Sequence, residues 1–324
     1  MRLAVILPHT KLYGGVKRFM ELGNIFIKKG HEFIIFTEKG EAPSWYDFKG
    51  EMATFKDIPS FELDAIFFTE TQYVNLILSA NSKRKIFYFV RPTDKLNRFL
   101  QHKDIEVFAN STNNYNVACR KFKIDPFKAL GGINTSLFTP KKVVKKTHDE
   151  PFIIMSFGRI TERRKGTKVV VKACERLYKK GFNIKLLLFD SPVDEKARKA
   201  IEEFDTTVPH EYILNHPVLK NNELYSKADI YVAAEHKTGY SNTSVEAMAT
   251  GIPVIATKSG TNDFLFHEKT GILVKRNRYS IGNAIIKLIE NKDLRTKYAE
   301  AGRKKIEEFD WEVLADRIEK HLFQ

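Results

Sequence analysis

Residues 2–37 read RLAVILPHTKLYGGVKRFMELGNIFIKKGHEFIIFT. Leu3-Ala4-Val5-Ile6-Leu7 is an unbroken apolar run stopped by Pro8, the mark of a strand buried on both faces. Gly14-Gly15 follows as a turn. Over 16–29, apolar residues recur at Val16, Phe19, Met20, Ile25 and Ile27 among Lys and Glu, which predicts an amphipathic helix. Gly30-His31 ends it, and 32–37 is a second apolar run. Strand, glycine turn, helix and strand make a βαβ unit, which predicts a parallel sheet with helices on its faces.

Working outward, further strands are expected at 65–69, 85–90, 107–109 and 128–130. TPKKVVKKTHDEP at 139–151 carries four lysines and a proline near each end, and reads as a linker. The pattern then restarts. A strand at 152–157 is followed by a turn holding Gly158 and Gly166, a helix over 167–180 and a strand at 184–189. Strands at 230–233, 253–256 and 271–274 surround a helix at 243–249, and helices at 280–290, 293–308 and 311–322 close the chain. The expectation is an α/β chain of two Rossmann-like doubly wound domains, 1–138 and 151–308, joined by a linker at 139–150. Such domains face each other across a ligand cleft at the carboxyl ends of their strands. A last helix within 309–324 would pack back on the first domain. A length of 324 residues suits two domains.

Composition narrows the chemistry. Two cysteines, Cys119 and Cys174, exclude a disulfide framework and a four-cysteine zinc site. There is no HExxH, Walker A loop or GxSxG, which argues against zinc hydrolases, P-loop NTPases and serine hydrolases. The nine histidines show no metal spacing, so no metal is expected; His9 follows the first strand and lies near the expected cleft. No apolar run reaches the ~18 residues of a membrane span, and the leading run is too short for a signal peptide, so a cytoplasmic chain is expected. The net charge of +14 favours anionic partners, namely nucleic acid, phosphate-bearing small molecules or an anionic membrane, although solubility alone also accounts for it. No nucleic-acid motif accompanies the charge, and no nucleic-acid partner is expected.

Two stretches carry chemistry. GRITERRKG at 158–166 places four cations between a strand and a helix, which suits a diphosphate clamp by Arg159 and Lys165, or a plain exposed basic loop. TGYSNTSVEAMATGIPVI at 238–255 leads a Gly/Ser/Asn-rich loop into a helix whose first turn is expected to hold Glu246. Amides at that helix start can bind phosphate, and the carboxylate can accept two ribose hydroxyls or merely complement the helix dipole. Gly14-Gly15 lets backbone approach a ligand, or is a bare turn.

From 152 to the end the sequence resembles the nucleotide-sugar-binding domain of retaining GT-B glycosyltransferases, the large family four group. The resemblance rests on GRITERRKG, NNELYSKADIYVAAE, TGYSNTSVEAMATGIPVIAT, SGTNDFLFHEKTGILV and FDWEVLADRIEKHL in that order. The first half carries it more thinly, in GGVKRFMELGNIFIKKGHE, FANST and GGINTSLFTP. It implies a GT-B fold with an acceptor-side first domain and a donor-binding second one. Arg159 and Lys165 match the donor-diphosphate cations, with Gly158 opening their loop. Glu246 matches the second glutamate of a Glu-x7-Glu motif that holds the donor ribose. Tyr240, Ser241, Asn242 and Thr243 match the stretch whose amides meet phosphate and sugar. Gly14 and Gly15 match the glycine loop near the diphosphate. Ala228 and Asp229 match a structural signature.

The implied reaction moves a sugar from a nucleotide-diphosphate donor to an acceptor hydroxyl with retention, by front-face attack and without metal or other cofactor. The acceptor would be a glycan, a lipid-linked species or a small molecule. The sequence departs from the pattern where the first glutamate should stand, at Thr238. Three readings stay open there: Glu235 substitutes, the donor is an unusual sugar such as a deoxyhexose, or activity is lost and the chain is a non-catalytic sugar- or nucleotide-binding partner subunit. The usual second-sheet Gly-Gly is Ser259-Gly260. The first domain's reaction-centre histidine has no clear match; Arg91 and Asp94, in YFVRPTD, occupy about that place. Lys17, Arg18, Lys28 and Lys29, with the segment 95–103, mix cations with apolar residues and would suit peripheral attachment to the inner face of an anionic membrane, or an ordinary solvated face.

Overall fold

Successive side chains of a strand point to opposite faces of its sheet, so Leu3, Val5 and Leu7 enter one apolar core while Ala4 and Ile6 enter another. Both faces are covered, which is why the run is apolar throughout. The computed structural model describes residues 1–92, 96–98, 101–140, 147, 149–192 and 194–324. They fall into two units, Met1–Gly132 with Phe309–Gln324, and Ile133–Glu308.

The first unit holds β1 (Arg2–Ile6), α1 (Gly14–Lys28), β2 (Glu32–Thr37), β3 (Glu51–Thr54), β4 (Leu63–Phe68), α2 (Val74–Leu78), β5 (Ser82–Phe89), β6 (Ile105–Ala109), α3 (Thr112–Val117) and β7 (Phe127–Lys128). Its strands form one parallel sheet in the order β3-β2-β1-β4-β5-β6-β7. The second unit holds β8 (Phe152–Phe157), α4 (Thr167–Tyr178), β9 (Ile184–Asp190), α5 (Glu195–Glu202), β10 (His210–Leu214), α6 (Asn221–Tyr225), β11 (Ile230–Ala233), α7 (Asn242–Ala249), β12 (Val254–Ala256), β13 (Ile272–Leu273), α8 (Arg278–Glu290) and α9 (Lys292–Ile306). Its sheet is parallel in the order β10-β9-β8-β11-β12-β13. The last helix, α10 (Trp311–Leu322), returns to the first unit.

Two strands escaped the sequence reading, β3 and β10. Both lie at sheet edges and are only partly buried, so neither needs a continuous apolar run. Gly14 and Gly15, expected as a turn, are the opening residues of α1. Amides of a first helical turn have no intrahelical partner, so glycine weakens little there. The end of the expected first domain, 1–138, also differs. Arg303 donates to the carbonyls of Thr135 at 3.1 Å and Ala249 at 2.8 Å, and also to that of Phe138, while the Phe138 ring meets Tyr225 edge-on. These bonds hold 135–138 in the second unit. Residues 141–146 and 148 lie outside the described residues.

On one face of the first sheet α1 and α10 share a core, in which Val16, Phe19 and Met20 meet Trp311, Leu314 and Ile318. Arg18 is buried there. It donates to Tyr88 Oη at 3.1 Å and to the Gly131 carbonyl at 2.7 Å, and its guanidinium stacks on Tyr88 and Trp311. Lys28 pairs with Glu312, and Lys29 with Asp316 and Glu319. Of the cations proposed for a membrane face, one is therefore core and two are matched by acids of α10.

Arg84 clamps the end of α10 to the sheet. Its Nε and Nη2 donate to Glu106 at 2.7 and 2.6 Å, and Nη1 donates to the His321 carbonyl at 2.6 Å. Burial pushes the Glu106 carboxyl up, but Arg84 and His321 together outweigh it and hold the group below its ordinary value. A depressed carboxyl stabilises the fold above its unfolded value and stops doing so as pH falls through the folded one. Glu106→Gln should therefore lower stability at pH 7 by roughly 1–2 kcal/mol. The gap from the parent should close below the ordinary glutamate value of 4.5, as read by denaturant titrations across pH.

Candidate active site in the second unit

In the second sheet the chain runs outward from β8 to β9 on one side and from β11 to β12 on the other. β8 and β11 thus flank a topological switch point, and ligands of such sheets bind outside the carboxyl ends there. The two stretches read as chemical follow these two strand ends, 158–166 directly after β8 and 238–255 within the segment after β11.

The basic loop is held at several points. Gly158 N donates to Phe189 O at 2.8 Å, and Tyr212 Oη donates to the Gly158 carbonyl. A Cβ at Gly158 would lie 2.5 Å from that hydroxyl. Arg159 is committed to Asp190, with Nη2 at 2.8 Å and Nε at 3.2 Å from Oδ1, and a third bond runs to Ser191 O at 3.0 Å. The Asp190 carboxylate is only 1% exposed. Gly166 adopts φ +78°, and a Cβ there would run into the Ala234 carbonyl. His236 N donates to Arg164 O at 2.8 Å. Arg276, just past β13, bridges the two loops by donating to Ala234 O at 2.7 Å and to Arg163 O.

This seating brings Lys165 to Glu235. Nζ lies 2.6 Å from Oε1, with side-chain exposures of 23% and 5%. Phe157 packs under both cations, 5.1 Å from Arg159 and 5.4 Å from Lys165. Glu246 is buried and accepts from Tyr225 Oη at 3.1 Å. It is the fifth residue of α7, and the first turn holds no acid, so the helix-dipole explanation of this glutamate falls away. Thr243, half-buried, is the second residue of α7. Burial pushes the phenols of Tyr225 and Tyr231 far up, and the charges of both Glu235 and Glu246 add to this. Both carboxylates therefore act on the same two rings.

At the start of α7 no side chain caps the helix. Ser241 N donates to Gly260 O at 2.9 Å, Ser241 Oγ meets Ser244 Oγ at 2.8 Å, and Tyr240 packs edge-on against Phe264. Asn242, half-buried, is the first residue of the helix. Thr238 N donates to Ser259 Oγ at 2.9 Å, so the two positions that depart from the family pattern are partners. Asp229 accepts from Ile153 N at 2.7 Å and ties β8 to the start of β11.

The remaining expected residues belong to the first unit. Gly14 and Gly15 open α1, and a Cβ at Gly15 would meet nothing within 4 Å. Arg91, 44% exposed, pairs with Glu70 at 3.1 Å. The His9 ring packs at a tilt against Tyr13, with centroids 5.0 Å apart. Asp94 lies outside the described residues. Sequence reading missed Asp190 and Arg276. Asp190 left a signal, a lone acid closing the run IKLLLF at 184–189, whereas Arg276 looked like any solvated cation after a strand.

The family model for glycosyl transferases group 1 matches residues 138–305, which includes this whole constellation. The chain belongs to that family. Capsular polysaccharide biosynthesis glycosyltransferase CapM of Staphylococcus aureus is 30% identical over 211 residues, covering 61% of this chain and 54% of the relative. Phosphatidyl-myo-inositol mannosyltransferase of Mycobacterium leprae is 27% identical over 169 residues, 51% of this chain and 44% of the relative. The chain thus spans about half the length of the curated relatives it matches. Among solved structures, sucrose-phosphate synthase from Thermosynechococcus elongatus superposes with a TM-score of 0.80 at 20% identity over 99% of both chains. Anabaena HepE in complex with UDP and glucose gives 0.76 at 13% identity, over 100% of this chain and 99% of that one. These likenesses are of fold, the GT-B fold with its two Rossmann-like domains.

Backbone strain can be separated from close approach by comparing two glycines of this chain. Gly166 and Gly181 both have positive φ, +78° and +84°, but a Cβ at Gly181 would meet nothing within 4 Å. Gly181→Ala should cost only the left-handed strain, about 1 kcal/mol. Gly166→Ala should cost at least about 2 kcal/mol more, because the loop must lift off Ala234. Thermal unfolding of both variants checks this.

Proposed function

We propose that the chain transfers a sugar from a nucleoside-diphosphate sugar to an acceptor hydroxyl, with retention at the anomeric carbon. The observation that carries this reading is the placement of Lys165 in the loop after β8, and of the uncapped start of α7 and buried Glu246 in the segment after β11, the two strands that flank the switch point of the second sheet. A nucleoside diphosphate suits all three. Its phosphate oxygens accept from helix amides and from an ammonium, and its ribose hydroxyls donate to a carboxylate. Family membership and the UDP and UDP-glucose bound by HepE support the donor class.

As the glycosidic bond breaks, negative charge grows on the leaving diphosphate. In this reading Lys165 and the amides of Asn242 and Thr243 at the start of α7 stabilise it, the largest effect such a site offers, whereas Arg159 stays braced on Asp190 and the Ser241 amide on Gly260. A diphosphate oxygen then takes the acceptor's proton on the face that the leaving group vacates, and no protein nucleophile is assigned. The acceptor class proposed is a glycan or lipid-linked hydroxyl, in line with the polysaccharide and phosphatidylinositol named for the relatives.

Lys165→Ala should lower kcat/KM for donor turnover about 10²–10³-fold. Glu246→Gln should act mainly on donor KM. Both are measured by nucleoside-diphosphate release with and without EDTA, and the proposal expects EDTA to have no effect. A wild type that binds a nucleoside diphosphate but turns over no donor would point to the non-catalytic subunit instead. One that binds no nucleotide would overturn the reading.

A further inference from the structure

We infer that Glu235 sets donor specificity by exchanging partners, giving up Lys165 to the diphosphate and taking a hydroxyl of the transferred sugar in its place. The inference rests on the donor reading above. Glu235 is 5% exposed, and only one of its carboxylate oxygens is satisfied: Oε1 takes Lys165 at 2.6 Å, whereas Oε2 is buried without a partner. A buried carboxylate oxygen left bare is costly, and such a group calls for a donor. The backbone cannot carry it elsewhere, because Thr257 Oγ1 donates to the Glu235 carbonyl at 2.6 Å.

Arg159 is held by Asp190, and the second carboxylate acting on Tyr225 and Tyr231, that of Glu246, adds negative charge. A diphosphate arriving at this site draws on the same Lys165 ammonium. To the extent that it succeeds, Glu235 loses its cation while remaining nine-tenths buried. The sugar is bonded to the diphosphate, so its hydroxyls are the donors that arrive with it. A nucleoside diphosphate without a sugar brings none and leaves the carboxylate stranded. Position 238 offers no carboxylate to share the task, and its amide is bound to Ser259.

The test is calorimetric. The base is chosen from UDP, GDP and ADP by the largest melting shift. That diphosphate and its tightest-binding hexose ester are then titrated into the wild type, Glu235→Gln and the shorter Glu235→Asp, each checked for a wild-type-like melting profile. Freed Lys165 should make Glu235→Gln bind the bare diphosphate about tenfold more tightly, equivalent to about 1.4 kcal/mol. The preference for the sugar ester over the bare diphosphate should fall by a similar factor. Glu235→Asp should shift both in the same direction by less, and carries the test alone if the glutamine variant does not fold. General damage to the site would weaken both ligands, so tighter binding of the diphosphate is the distinguishing sign. An unchanged preference, or weaker diphosphate binding, overturns the role of Glu235 while leaving the donor reading intact. Failure of the wild type to bind any of the diphosphates overturns both.

Discussion

Everything distinctive in the second unit depends on how closely one loop can approach the end of one strand. Without a side chain at 166, the turn after β8 lies directly on the Ala234 carbonyl. From that contact the other positions follow. Lys165 is delivered to Glu235, His236 reaches Arg164, and Arg276 can span both loops with one guanidinium. Arg159 and Asp190 brace the loop's other end. The cations sit where they do because the backbone beneath them is fixed, not because the charges attract a common partner.

The charges themselves contribute little to net stability. Removing an ion pair's two members from water costs several kcal/mol each, and mutual attraction returns about as much when geometry is good. What burial changes is the penalty for a mismatch: a member stripped of its partner costs far more than the pair was worth. Arg18 in the first unit avoids this with hydrogen bonds to Tyr88 and Gly131 and two aromatic faces. Asp190 avoids it with Arg159 and the Ser191 amide. Glu235 is less completely served, and a ligand-binding position is where an unfinished account of hydrogen bonds is expected.

Fold and site were legible to different degrees, for physical reasons. Interior strands announce themselves because two buried faces demand successive apolar residues, as over Leu3–Ile6 in β1 and Leu186–Phe189 in β9. Edge strands β3 and β10 do not, since one side meets water. The basic loop and the Gly/Ser/Asn-rich entry to α7 could be read from composition beside a strand end. Pairing could not: nothing in the spacing says that Arg159 turns to Asp190, 31 residues on, or that Lys165 meets Glu235. Those contacts depend on strand order, which brings β9 and β11 to either side of β8. The opening of α1 was misplaced because a glycine pair normally breaks a helix, and only its position in the first turn makes it tolerable.

The division at Gly132 has a bearing on how the molecule is made. Gly132 N donates to Phe309 O, and a Cβ at 132 would strike the Trp311 ring, so the chain leaves the first unit beside the point where it later returns. In order of synthesis, the second unit is a continuous stretch inserted into an interrupted one. Its sheet and helices are complete once residue 308 has emerged. The first unit must wait longer, because Leu3, Phe19 and Phe67 share their core with Trp311 and Leu314. Until the last helix emerges, one face of a seven-stranded sheet is partly uncovered next to a finished neighbour. The nascent first unit is therefore the aggregation-prone half, and a gene truncated after 308 would keep the second unit intact while leaving apolar surface on the other.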